Sequence, residues 1–130
     1  MSYILIVDDD KVTRELIKTM LPEYMTTEAM DGDCAIDALG THEPIVVLLD
    51  LCMPGRDGFD VLRYLKESPI QPHVIVITAV DDEQTIKTAL NSADDILLKP
   101  IQPAVLRAKI SKAINERKYR ELIIVLDEIA

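Results

Sequence analysis

Short apolar runs alternate along the chain with segments whose apolar residues recur at helical spacing. Tyr3–Val7, Thr26–Met30, Ile45–Leu49, Val74–Thr78 and Ile96–Leu98 have strand length. Most are continuous in Ile, Val and Leu without polar alternation, as strands covered on both faces should be. Thr26–Met30 is the weak one, which predicts a place at a sheet edge. Between them, Val12–Leu21 sets Val12, Leu16, Ile17 and Met20 on one helical face, and Pro22 stops it. Asp33–Leu39 closes at Gly40, a fitting C-terminal glycine. Phe59–Glu67 presents Phe59, Leu62 and Leu65. Asp82–Asn91 offers only Ile86, Ala89 and Leu90, a thin face that predicts a loosely docked helix. The last helix starts at Pro103, a residue favoured in a first turn. Five strands alternating with five helices predict right-handed crossovers and a parallel, doubly wound α/β sheet. No repeat, low-complexity segment or linker interrupts it.

In such sheets ligands bind beyond the carboxyl ends of the strands, so the strand ends are where chemistry is expected. The first strand ends in Asp8-Asp9-Asp10, the third at Asp50, the fourth at Thr78 and the fifth at Lys99-Pro100. Taken singly, each Asp reads as a turn former or helix cap. Together, three or more carboxylates, a hydroxyl and an ammonium converge on one edge. Packed carboxylates repel, and hard oxygen ligands of this kind suit Mg²⁺. The set describes a phosphoryl site built around a carboxylate nucleophile.

Composition narrows the partners. The chain has 130 residues and is 48% hydrophobic, with a net charge of −9. It is therefore expected to fold as an ordinary core and not to bind nucleic acid directly, which rests on Lys and Arg neutralising phosphates. The apolar N-terminal stretch is too short for a signal peptide or a membrane span. Cys34 and Cys52 make neither a disulfide framework nor a zinc pattern, and read as reduced thiols of a cytoplasmic protein. His42 and His73 both stand beside prolines and are expected on surface loops.

The motifs "VDDD" at Val7–Asp10, "LLDLCMPGRDG" at Leu48–Gly58, "VITA" at Val76–Ala79 and "LKP" at Leu98–Pro100 carry a resemblance. Over Ser2 to Arg117 the chain resembles the receiver domain of two-component response regulators, of the chemotaxis-regulator kind. The resemblance implies a flavodoxin-like five-stranded sheet of order 2-1-3-4-5. It makes Asp50 the phosphoacceptor, taking its phosphoryl group from a sensor histidine kinase or a phosphotransfer protein. Asp9 matches the direct Mg²⁺ ligand, and Asp8 its partner acting mainly through water. Asp50 and the backbone carbonyl of Cys52 complete the metal set. Asp10 falls outside the pair, as a start to the first helix. Thr78 matches the switch hydroxyl and Lys99 the cation that pairs with the phosphate, next to an expected cis Lys99–Pro100 bond. Such a protein is a switch, not an enzyme, although it takes part in its own phosphorylation and slow dephosphorylation.

The sequence also departs from the family pattern. Ile96 stands where an aromatic switch residue is usual, Ser92-Ala93 replaces Gly-Ala, and Ile101 replaces an aromatic. Coupling through Thr78 and backbone motion is the resulting expectation. Cys52 and Val80 occupy the positions that flank the hydrolytic water, and neither holds a water strongly, so slow self-dephosphorylation is expected. Two other functions share the parts. One is an aspartate-nucleophile, Mg²⁺-dependent phosphohydrolase, disfavoured because its second Asp would stand at Cys52. The other is a receiver-like module that is never phosphorylated, disfavoured by the presence of Asp8, Asp9, Asp50, Thr78 and Lys99.

The expected domain plan is a receiver over residues 1–117 and a helical extension over 118–130. Leu106, Ile110, Ala113 and Ile114 form one stripe facing the sheet. Leu122, Val125, Leu126 and Ile129 form a second, turned by roughly 120° at ~100° per residue. A straight helix would leave that second stripe for another copy of the chain or an absent output domain. A kinked one would fold it back. The heptad is too short and too interrupted at Arg117–Glu121 for a coiled coil.

Overall fold

The computed structural model describes residues 3–53, 58–69, 71–79 and 81–129. Ten elements alternate: β1 (Tyr3–Val7), α1 (Lys11–Met20), β2 (Met25–Ala29), α2 (Gly32–Thr41), β3 (Val46–Leu49), α3 (Gly58–Glu67), β4 (His73–Thr78), α4 (Glu83–Leu90), β5 (Asp95–Leu98) and α5 (Pro103–Ile129). The strands form one parallel sheet in the order β2-β1-β3-β4-β5, so the polar strand β2 lies at an edge as its composition predicts.

Both faces of the sheet are covered, which explains the unbroken apolar runs. Leu5, Val7, Val47, Leu49, Val74 and Val76 point to one face, against Ala35 and Leu39 of α2, Val61, Leu62 and Leu65 of α3, and Ala89 of α4. Their neighbours Ile4, Ile6, Val46, Leu48, Ile75 and Ile77 point to the other, against Ile17 of α1 and Leu106, Ile110 and Ala113 of α5. The period-2 alternation of strand side chains assigns each residue to its layer.

Several expectations need correction. Val12 and Leu16 are exposed, at 71% and 51%; α1 buries Ile17 and turns Met20 to the core instead. Two stripes about 100° apart share Met20, and the chain docks the one through Thr13 and Ile17. Gly40 lies inside α2, which runs to Thr41 with His42 as its C-cap. The glycine is not the stop, because α2 ends in extended backbone that needs no left-handed residue. His73 is the first residue of β4 and half-buried, its N–H donating to the Ile45 carbonyl at 3.0 Å, because strand pairing starts there. His42 is at the surface, packed edge-on against Tyr3. Strand β2 starts and ends one residue earlier than its apolar pattern suggests.

Helix α4 buries only Ala89, in keeping with its thin apolar face. Helix α5 is continuous for 27 residues. It therefore carries its second stripe past the sheet instead of folding it back. No helix among the described residues is long and apolar enough to cross a membrane.

Candidate phosphoryl site

Parallel register builds the site. Val7 of β1 pairs with Leu49 of β3, so the next residues, Asp8 and Asp50, emerge side by side. Hydrogen bonds extend the pairing: Asp50 N–H donates to the Val7 carbonyl at 2.9 Å and Asp8 N–H to the Ala29 carbonyl at 3.1 Å. Thr78 ends β4 beside Leu98 of β5, and Lys99 N–H donates to the Thr78 carbonyl at 2.9 Å. The Lys99–Pro100 bond is cis. Asp8, Asp50, Thr78 and Lys99 thus stand on one edge of the sheet, with Asp9 following Asp8.

Within that edge, carboxylate oxygens of Asp8, Asp9 and Asp50 lie within 4.8 Å of one another. Asp8 and Asp50 are buried and Asp9 is exposed. Lys99 Nζ sits 3.0 Å from Asp8 Oδ2 and 3.5 Å from Asp50 Oδ2. The other oxygen, Asp50 Oδ1, accepts from the Cys52 N–H at 3.2 Å. Burial pushes the Asp50 carboxyl above its ordinary value, and the Asp8 charge adds to this against the opposing pull of Cys52 N–H and Lys99. Burial works against the Lys99 ammonium too, but the Asp8 and Asp50 carboxylates outweigh it and its pKa goes up.

Three carboxylates against one ammonium leave two uncompensated negative charges. A pair of charges 4.8 Å apart repels by on the order of 3 kcal/mol at an effective dielectric of ~20. One divalent cation cancels that surplus, and an all-oxygen donor set is the kind that hard cations take. The residues present fit such an ion.

Asp10 has a different task. It caps α1, accepting from Val12 N–H at 3.2 Å and from the Thr13 hydroxyl at 2.7 Å, and the Thr13 bond above all holds its pKa low. Thr78 is fully buried. Cys52 is an exposed free thiol, and Cys34 a half-buried one. Val80 and residues 54–57 of the predicted turn lie outside the described residues. Ile96 is half-buried against the layer that holds Ala89, and Ile101 packs against the opposite layer.

Two supporting roles have no signature in the sequence, that of Arg14 and the packing reason for Gly58. Arg14 donates from Nη1 to the Asp8 carbonyl at 2.7 Å while its Nε holds Glu28 at 3.1 Å, tying α1 and β2 to the end of β1. Gly58 starts α3 directly against the chain after β3, its N–H donating to the Leu51 carbonyl at 3.1 Å. A Cβ there would stand 2.5 Å from Leu51 Cα and closer still to the Asp50 carbonyl oxygen. The family motif includes this glycine, but only the packing gives its reason.

Comparison with known proteins agrees with the geometry. The model of the response regulator receiver domain family matches residues 4–111, and the chain belongs to that family. It is 36% identical over 133 aligned positions to the response regulator PleD of Caulobacter vibrioides, covering 98% of this chain and 28% of PleD. It is 33% identical to the chemotaxis protein CheY of Halobacterium salinarum, over 82% of this chain and 92% of CheY. The chain thus spans under a third of PleD and nearly all of CheY. The receiver domain of the Francisella response regulator 1452 superposes with a TM-score of 0.82 at 30% identity, over 90% of this chain and 99% of that one.

Proposed function

We propose that Asp50 is the phosphoacceptor of a two-component signalling switch. The observation that carries this is the Asp50 carboxylate, held on a strand end beside Asp8 and Asp9 with Lys99 reaching both Asp8 and Asp50 in a receiver-family chain. An Asp50 carboxylate oxygen attacks the phosphorus of a phosphohistidine on a sensor kinase or phosphotransfer protein. The P–N bond breaks, the imidazole nitrogen keeps the electron pair and takes a proton, and an acyl phosphate forms on Asp50.

Asp8, Asp9, Asp50 and the Cys52 backbone carbonyl are the proposed holders of Mg²⁺. When bound, the ion supplies positive charge to offset the carboxylates and the phosphoryl oxygens. Lys99 is already within ion-pair range of Asp50 and exchanges that contact for a phosphoryl oxygen. The Thr78 hydroxyl donates to another. Both end neighbouring strands, so their movement biases the surface of α4, β5 and α5 between two states. With Ile96 packed beneath α4 in place of an aromatic, the transmission runs through Thr78 and the backbone.

Turnover as a phosphohydrolase is disfavoured because Cys52, two residues past the nucleophile, is no general acid or base for a leaving alkoxide at its ordinary position in that chemistry. For the C-terminal turns of α5 the partner we infer is a second copy of the chain. Leu122, Val125, Leu126 and Ile129 are all exposed there, with Ile123 and Ile124 exposed beside them, and an uncovered apolar surface of this kind marks a partner site.

The test is to incubate the protein with acetyl phosphate and Mg²⁺ and follow bound phosphoryl and free phosphate together. One phosphoryl group per chain, lost slowly, is the expected result. Many turnovers of free phosphate would mean a hydrolase. No adduct, and no response to beryllofluoride, would mean an inert module.

A further inference from the structure

At the opposite ends of the strands from the acidic edge, a cavity of about 110 Å³ opens between the segment leading into β4 and helix α5. Its walls carry Gln71, His73, Asp94, Arg117 and Arg120. The stripe that α5 lays on the sheet, Leu106, Ile110 and Ala113, continues at helical spacing as Arg117 and Arg120 where the sheet stops. An apolar contact surface thus turns into a pair of guanidinium groups over a concavity.

The charges there are incompletely used. Arg117 donates from Nη1 to the Gln71 carbonyl at 3.2 Å, and its Nε stands 3.7 Å from Glu121 on the exposed side of the helix. Surface pairs of that kind are weak. Asp94, the carboxylate in the cavity wall, has Oδ2 held by the Val74 N–H at 2.8 Å and keeps its charge, so two guanidinium groups face one wall carboxylate. Arg14, Arg63, Arg107 and Arg117 each have a carboxylate within ion-pair distance. Arg120 has none among the described residues. Arg120 is exposed at the cavity rim, so its guanidinium faces solvent and is open to an anion.

We propose that this basal cavity binds a small phosphoryl oxyanion, held by Arg117 and Arg120 with His73 as a further donor. Two guanidinium forks offer paired N–H groups in the geometry that phosphate oxygens accept. With the imidazole added, they present more donors than the two oxygens of a carboxylate can use, which favours a tetrahedral anion. The site is independent of the phosphoacceptor edge, being at the other end of β4. Because Arg117 and Arg120 sit where α5 leaves the sheet, occupancy fixes the exit of the helix.

Amide NMR tests this on the whole chain without divalent cation, in wild type and in Asp50→Asn to keep the acidic edge out of the readout. Inorganic phosphate is titrated at constant ionic strength, with acetate as the carboxylate comparison and methyl phosphate as a phosphomonoester end. Saturable shifts at His73, Asp94, Arg117 and Arg120 are expected in both proteins. Affinity should fall at least tenfold in Arg120→Gln, and less in Arg120→Lys. Tighter binding of methyl phosphate than of phosphate assigns the source to a phosphorylated metabolite, and the reverse to free phosphate. The proposal is overturned by shifts that do not saturate, by equal binding of acetate, by unchanged affinity in Arg120→Gln, or by shifts confined to Asp8–Asp10 and Asp50–Met53.

Discussion

Asp50 is uncomfortable as a bare carboxylate. Its carboxyl is buried, sits against Asp8 and has its pKa raised. A raised carboxyl favours folding below its unfolded pKa and loses that contribution as pH rises through the folded value. At neutral pH, then, the charge on Asp50 works against the metal-free fold. Asp50→Asn should raise stability there by on the order of 1 kcal/mol, seen as a higher Tm, with the gain shrinking as pH falls into the carboxylate range. Added Mg²⁺ should raise the Tm of wild type more than that of the variant, and a chelator should reverse it. Gly58 is the opposite case, a residue with no charge and no tolerance. Gly58→Ala drives a methyl group into the backbone at Asp50 and Leu51, and overpacking of this kind costs about 1–3 kcal/mol; urea unfolding measures it. Cys52 belongs at this scale too: Cys52→Asn should shorten the acyl-phosphate lifetime, since an amide can hold the attacking water where the thiol cannot. The chemical types at Asp8, Asp9, Asp50, Thr78 and Lys99 could be read from their strand-end positions. Arg14 and Gly58 could not, because a carbonyl contact and a backbone approach leave no mark in polarity.

Helix α5 holds most of what is testable among the elements. Asp95 of β5 accepts from Lys109 Nζ at 2.9 Å through both oxygens, clamping α5 to the edge strand. Burial raises the Asp95 carboxyl, but the Lys109 contact and its companions outweigh it and the pKa is lowered. A lowered carboxyl contributes stability above its unfolded pKa and loses it as pH falls through the folded value. Lys109→Met should therefore destabilise by about 1 kcal/mol at neutral pH, with the difference from wild type closing in acid. Further along, Leu126→Glu should abolish any concentration-dependent dimer without shifting the Tm of the monomer. Light scattering over a range of concentrations reads this. A dimer that survives the change would assign the contact to another surface, and a monomer in wild type would leave the stripe to a segment of another protein. Periodicity located α3 by its single dominant stripe, and the sheet-facing half of α5 by the stripe through Leu106, Ile110 and Ala113. It misjudged α1, where Val12–Leu16 and Thr13–Ile17 compete and only docking decides which faces the sheet. It misplaced the end of α2 because Gly40 permits a stop without requiring one.

Across the whole molecule, topology turns scattered residues into a site. Asp8 and Asp50 are far apart in sequence and meet because β1 and β3 pair in parallel. Thr78 and Lys99 join them through β4 and β5. The alternation of strands and helices was enough to predict the doubly wound sheet, since unbroken apolar strands demand cover on both faces. The path of α5 beyond the sheet was open, because a stripe rotated on a helix says nothing about whether the helix bends. The proposed phosphoryl site lies at one end of the strands and the arginine-lined cavity of α5 at the other. The central claim, that Asp50 accepts a phosphoryl group, has one direct test. Wild type and Asp50→Asn are incubated with acetyl phosphate and Mg²⁺, and the intact mass of each is measured. Addition of a single phosphoryl group to wild type and none to Asp50→Asn is the predicted result. An equal adduct on both proteins, or none on wild type, would contradict it.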